Sequence, residues 1–352
     1  MSRTGCAFAI LAATVAASTV NAATFNVSAG QSIQAAINLA ADDDLILVGP
    51  GTYVEHLELT GVNVIIQSTD GPQATIIDAN HAASVVRCFA LTSDTCRFEI
   101  NGFTLTNGNG TNGQGGGLLL GNAAPIIRNC IITNNASGIG GGVFCNASNP
   151  LFFGCVFYQN SASSFGGDCY NIFSNPNFVN CTFNGSTATL GSGIHSNDTT
   201  SHPAFTNCII WGYDDDVFSG LGVPIVGFTC IENGYPGLGN IDDNPLFVNL
   251  ASGNLRVQNG SPCIDAGDSV VVAMELARDI DGNSRGVDVP TMIDTGIPIF
   301  GLVVDMGAYE IQNGTGGPSE CSCTGDITPP GGNGFVNIDD LVTVLNAFGA
   351  CP

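Results

Sequence analysis

The sequence predicts an all-β chain built as a parallel β-helix with three short strands per rung, and three observations predict it. Four segments, PIIRNCIIT (125–133), PLFFGCVFY (150–158), PNFVNCTFN (176–184) and PAFTNCIIW (203–211), repeat one pattern at intervals of 25, 26 and 27 residues. Within each, apolar side chains stand two, five and seven places after the proline, with Asn129, Gly154, Asn180 or Asn207 between the first two. A second set, GGGLLLGN, GGGVFCN, GGDCYN and GSGIHSN, precedes the four prolines in turn.

Each element follows from side-chain geometry. A flat strand keeps its inward side chains two apart, so the step of three demands a corner. Asn and Gly tolerate the left-handed backbone that such a corner needs. The inward columns are then Ile127, Phe152, Phe178 and Phe205; Cys130, Cys155, Cys181 and Cys208; and Ile132, Phe157, Phe183 and Ile210. The glycine-led segments add Leu118, Val143, Cys169 and Ile194 facing in, and Leu119, Phe144, Tyr170 and His195 facing out. NGFTLTN (101–107) fits the same rung with Phe103 in the cysteine column, and GVNVIIQST (61–69) and DLILVGPGTYVE (44–55) read as earlier rungs. Stacked rungs leave open edges that need covering. SIQAAINLAA (32–41), with Ile33, Ala36, Ile37 and Ala40 on one face, is the expected N-terminal capping helix.

Composition limits the function. Residues 1–22 read as a secretory signal, with Arg3, an apolar stretch and the small-x-small site Val20-Asn21-Ala22. A secreted, extracellular or cell-surface location is therefore expected. No later apolar run reaches the about 20 residues of a membrane span. The formal net charge is −23 and the chain has no lysine, which argues against nucleic acid and strongly acidic polymers as partners. Removing Cys6 from the 14 cysteines leaves 13, an odd number that forbids complete internal pairing. Cys88 and Cys96 flank a short turn and could bridge; the column cysteines are expected as reduced thiols packed as small apolar groups.

These segments resemble the right-handed parallel β-helix, or pectin-lyase-like, superfamily. The opening SIQAAINLAADDDLILVGPGTYVEHLEL and IIQSTDGPQATIIDA resembles its N-terminal start, and GGGVFCNASNPLFFGCVF resembles repeats of bacterial surface and secreted members. IDDNPLFVNLASGNLRVQNGSPCIDAGD, DIDGNSRGVD and DMGAYE resemble the C-terminal region of β-helix proteins with varied C-terminal anchors. The implied organisation is a β-helix over 23–311, a linker at 312–320 and a separate module at 321–352. CSCTGDITPPGGNGFVNIDDLVTVLNAFGACP resembles a dockerin-type calcium module of secreted proteins of Planctomycetes-like bacteria. That resemblance implies calcium held by Asp326, Thr328, Asn333, Asn337 and Asp340, and an anchoring partner. The loop is single, has a stretched front half and ends in Asp rather than Glu, so a calcium-free anchoring peptide is the alternative. Cys321 or Cys323 could pair with Cys351 there.

No catalytic set emerges. Arg128 occupies an outward repeat position, Arg285 sits in the DIDGNSRG block, and neither has an acid cluster beside it in sequence. Asp214-Asp215-Asp216 has only Asp168 and Asp198 as nearby partners for acid–base work. His56, His81 and His202 stand alone. Binding has more to offer. Phe144, Tyr170 and His195 form one outward column with Asp168 beside it, and Tyr158 and Trp211 share another. Such faces can stack on successive sugar rings, although outward aromatics also simply favour strands. The expected function is a secreted or cell-surface scaffold that contacts a polysaccharide or surface glycan without catalysis, tethered through its C-terminal module. The alternatives are a polysaccharide lyase or glycoside hydrolase, and a purely structural adhesin or matrix protein.

Overall fold

The computed structural model describes residues 22–89, 97–213, 217–272 and 277–312. The proposed signal, the Asp214–Asp216 run and the C-terminal module with its five calcium-ligand candidates lie outside the described residues. The chain divides into two compact units. One holds the chain to Phe178 with Phe183–Ala204 and Gly212–Pro224; the other holds Val179–Thr182, Phe205–Trp211 and the chain from Ile225 on.

The first unit is a right-handed parallel β-solenoid. One sheet stacks Thr24–Val27, Leu45–Val48, Ile65–Ser68, Glu99–Asn101, Ile126–Arg128 and Leu151–Phe153, all parallel. A second stacks Gly51–Val54, Thr75–Asp78, Thr104–Thr106, Ile131–Thr133 and Val156–Tyr158. A third runs from Leu57–Glu58 through Val86–Phe89, Leu118–Gly121, Val143–Asn146, Cys169–Ile172 and Ile194–Ser196 to Phe218–Gly220. The registers reproduce the columns expected from the repeat: Leu118 pairs Val143, Val143 pairs Cys169, and Cys169 pairs Ile194.

Like stacks on like in the interior. Phe152 and Phe178 lie face to face at 4.8 Å, and Phe157 and Phe183 at 4.6 Å, all fully buried. The corner residues have the left-handed backbone their identities imply, with φ of 46° at Asn129, 61° at Gly154, 49° at Asn180 and 56° at Asn207. Cys130, Cys155, Cys181, Cys208 and Cys230 are wholly buried thiols outside any disulfide. Burial pushes the Cys130 thiol well above its ordinary value. Cys88 is disulfide-bonded.

The capping helix is shorter than the 32–41 segment that the periodicity predicts. It spans Ile33–Ile37, ends at Asn38, and buries Ile33, Ala36 and Ile37. The Ser32 hydroxyl accepts from the Ala35 amide, and Glu55, from the strand side, accepts from the Ile33 and Gln34 amides and the Ser32 hydroxyl. A remote carboxylate thus satisfies the orphan amides of the first turn and complements the positive helix end.

The second unit stacks the remaining corner residues and then turns irregular. Ile209 N–H donates to the Cys181 carbonyl, and Cys230 N–H to the Cys208 carbonyl. An antiparallel pair, Phe247–Asn249 with Asn254–Val257, follows. The DMGAYE block then fastens onto the corner asparagines. Asn180 Nδ2 donates to the Asp305 and Gly307 carbonyls at 2.8 and 3.2 Å, and Asn207 exchanges hydrogen bonds with the backbone of Asp268. Arg285 is buried against Glu310 at 3.6 Å and donates to the Gly307 and Ala308 carbonyls, so it braces this block. Glu310 in turn accepts from the Gly286, Val287 and Asp305 amides.

Candidate carbohydrate-contact site

The outward column of the third sheet exists in the register the repeat implies, but it is covered. Phe144 stacks on Tyr170 at 5.5 Å with 5° between planes, and Tyr170 on His195 at 5.3 Å. These residues are only 3, 8 and 8% exposed. Two segments outside the repeat columns, Ala136–Ile139 and Ser161–Phe165, pair as parallel strands. Their Ile139 and Phe165, with Ile172, close over Leu119, Phe144 and Tyr170. Phe165 sits 4.7 Å from the His195 ring, whose Nδ1 meets the Ser219 hydroxyl at 2.8 Å. Burial holds His195 below the ordinary imidazole range. The expected open platform is therefore a satellite core.

Asp168 is also inside. Its carboxylate is wholly buried and accepts from Ser186 Oγ at 2.6 Å, Asn160 Nδ2 at 3.2 Å and the Tyr213 hydroxyl at 2.5 Å. Burial raises its carboxyl to about 6, against the pull of those three donors. Asp198 is a half-buried turn former. Burial opposes its ionisation, yet the donors from Thr200, Phe173 and Ser201 together hold it well below the usual carboxylate range. No acid–base pair arises from Asp168 and Asp198. Tyr158 and Trp211 are half-buried, Tyr158 in the first unit and Trp211 in the second.

A better-formed site lies in the second unit, where repeat reasoning does not reach. A cavity of about 250 Å³ is lined by Val248, Arg256, Asp281, Asn283, Tyr309 and Gln312, among others. The antiparallel strand Asn254–Val257 delivers Arg256, and the DIDGNSRG loop delivers Asp281 and Asn283. Arg256 lies over the Tyr309 ring, 4.6 Å from its centroid. It grips Asp281 at two points, Nε to Oδ2 at 2.7 Å and Nη2 to Oδ1, and reaches Asn254 Oδ1 at 3.0 Å. The hydrogen bonds that Arg256 donates to Asp281 raise its already high pKa, and burial pushes the Tyr309 phenol to about 12. Tyr309 is itself only 7% exposed and is covered by Arg256, so the groups that can meet a sugar are the polar side chains of Arg256, Asp281, Asn283 and Gln312 beside the apolar Val248. At this volume, below the roughly 300–1,000 Å³ of pockets that enclose drug-sized ligands, it suits one ring or a chain end. The sequence signals were the lone Arg256 in an alternating strand and the acids of DIDGNSRG.

A comparison with curated proteins returns no match. Among solved structures, a mannuronic-acid-specific polysaccharide family 6 lyase from human gut microbiota aligns with TM-score 0.43 and 10% identity. That alignment covers 59% of this chain and 53% of the lyase, so the match spans about half the enzyme's length. A pectin methylesterase variant in complex with a hexasaccharide aligns with TM-score 0.35 and 13% identity, over 62% of this chain and 82% of that one. At these scores neither enzyme assigns a residue or a substrate to this chain. A family model for the right-handed β-helix region matches residues 61–234. By coil geometry and by that match, this stretch of the chain is a right-handed β-helix.

Proposed function

We propose that the protein is an exported β-helix scaffold that binds carbohydrate without transforming it, and that its C-terminal module tethers it. The observation that carries this reading is the Arg256–Asp281 pair laid on Tyr309 at the mouth of the cleft, flanked by Asn283 and Gln312. Arg256, locked against a carboxylate, stays protonated, and Tyr309 stays a phenol at any physiological pH. Neither supplies the base that a lyase needs. The acidity of the whole chain, −23, favours neutral sugars over uronate polymers. The test is a glycan array followed by product analysis, on the wild type and Arg256→Gln. Binding of neutral glycans that weakens at least tenfold in the variant, with no new products, supports the reading. Shortened or unsaturated oligosaccharides would establish an enzyme, and absence of binding a structural protein.

A further inference from the structure

Three carboxylates meet in the second unit, Asp265 and Asp288 from the SPCIDAGD and DIDGNSRGVD blocks and Asp294 from the segment that follows. Asp265, Asp288 and Asp294 each bring one oxygen within 4.8 Å of the others'. Asp265 is wholly buried and fixed from several sides. Its backbone has φ of 50°, its N–H donates to Asp305 Oδ1 at 2.9 Å, and its carbonyl accepts from the Thr295 and Gly296 amides. On its side chain, Oδ2 accepts from the Val289 amide at 3.1 Å. Oδ1 is buried and has no hydrogen-bond partner.

A buried acceptor is ordinarily satisfied, and an orphaned carboxylate oxygen among like charges is unfavourable unless a cation completes it. The arginines of this unit are committed elsewhere: Arg256 to Asp281, Arg278 to the Gly282 carbonyl, and Arg285 to Glu310. The chain has no lysine to take their place. The same hydrogen bonds that hold Asp265 hold the loop around it. Val289 follows Asp288, and Thr295 follows Asp294, and both donate their amides to Asp265. The backbone therefore aims the two outer carboxylates at the inner one.

We propose that Asp265, Asp288 and Asp294 form a calcium site. Calcium takes oxygen ligands at about 2.3–2.6 Å, so the oxygens around one ion stand no more than about 5 Å apart, and these three lie within that limit. Magnesium demands a strict octahedron at about 2.0–2.1 Å and gives up its waters reluctantly, whereas carboxylates from separate loop positions suit calcium's more flexible geometry. One buried anchor, one half-buried acid and one exposed acid leave the ion open to water and to a weak, extracellular style of affinity, on the order of 10⁻⁴–10⁻³ M.

The test uses full-length protein stripped with chelator and then titrated with calcium, by calorimetry and by thermal melting. Wild type is compared with Asp288→Asn/Asp294→Asn and with Asp326→Asn/Asp340→Asn, which removes the acids of the proposed tail loop. Wild type and the tail variant are expected to share a binding event and a calcium-dependent rise in melting temperature. The Asp288→Asn/Asp294→Asn variant should bind at this site at least tenfold more weakly. Without calcium it should melt no lower than wild type, because two mutually repelling charges are gone. An unchanged calcium response in this variant would overturn the proposal. So would absence of calcium-dependent heat in wild type, loss of all calcium binding in the tail variant, or an equal response to magnesium.

Discussion

Asp168 shows how one residue can be read in the right register and on the wrong face. It directly precedes the inward Cys169, and its position beside the Phe144–Tyr170–His195 column suggests the outer surface. The chain instead turns its carboxylate inward, onto Asn160, Ser186 and Tyr213. Because the folded-state pKa of about 6 lies above the ordinary aspartate value of 3.8, the folded protein holds the proton more tightly than the unfolded chain. Stability from this group is fully present below about pH 4 and is lost as pH rises through about 6. Between pH 5 and pH 7 the loss amounts to roughly 1 kcal/mol. Asp168→Asn keeps an acceptor for Ser186 and Asn160 and offers a donor to the Tyr213 oxygen. Urea unfolding at pH 5 and pH 7 should therefore show that the variant lacks about 1 kcal/mol of the wild-type difference. An identical pH dependence in the two proteins would show that Asp168 is not the titrating group.

Among the elements, the stacked coils were legible because their signal repeats. The interval of 25 to 27 residues, the corner asparagines and the phenylalanine columns each recur, so one misread rung is corrected by the next. Phe178 is the sharpest example: it is packed against Phe152, Phe157 and Phe183. Phe178→Ala should cost about 3–5 kcal/mol, measured as a lowered urea midpoint at unchanged slope. Asn180→Ala, which forces an alanine to φ of 49° and removes the bonds to Asp305 and Gly307, should cost about 2 kcal/mol by the same measurement. The elements that were not legible carry single, unrepeated signals. NASGIG and NSASSFG look like glycine- and serine-rich bends, and only Ile139 and Phe165 betray that they fold down as a lid over the aromatic column. The cleft at Arg256 and the acids at Asp265, Asp288 and Asp294 come from separate, unrepeated segments, with no recurring spacing to recognise.

For the whole molecule, the dominant quantity is charge. A chain at −23 with 7 basic residues repels itself, and monovalent salt screens that repulsion. With chelator present throughout, raising sodium chloride from about 0.05 to 0.5 M shortens the Debye length severalfold, and the melting temperature should rise. A fall would mean that favourable pairs such as Arg128–Glu99, at 3.2 Å, outweigh the general repulsion. The parallel sheets of the first unit add a mechanical consequence. Their backbone hydrogen bonds link each coil to the next, so they point along the stacking direction. Tension applied along that direction loads the bonds of one coil at a time and peels it away, as a zipper opens. Tension applied across it loads every coil at once and meets far greater resistance. The repeat that makes this chain easy to read thus also makes it anisotropic under force.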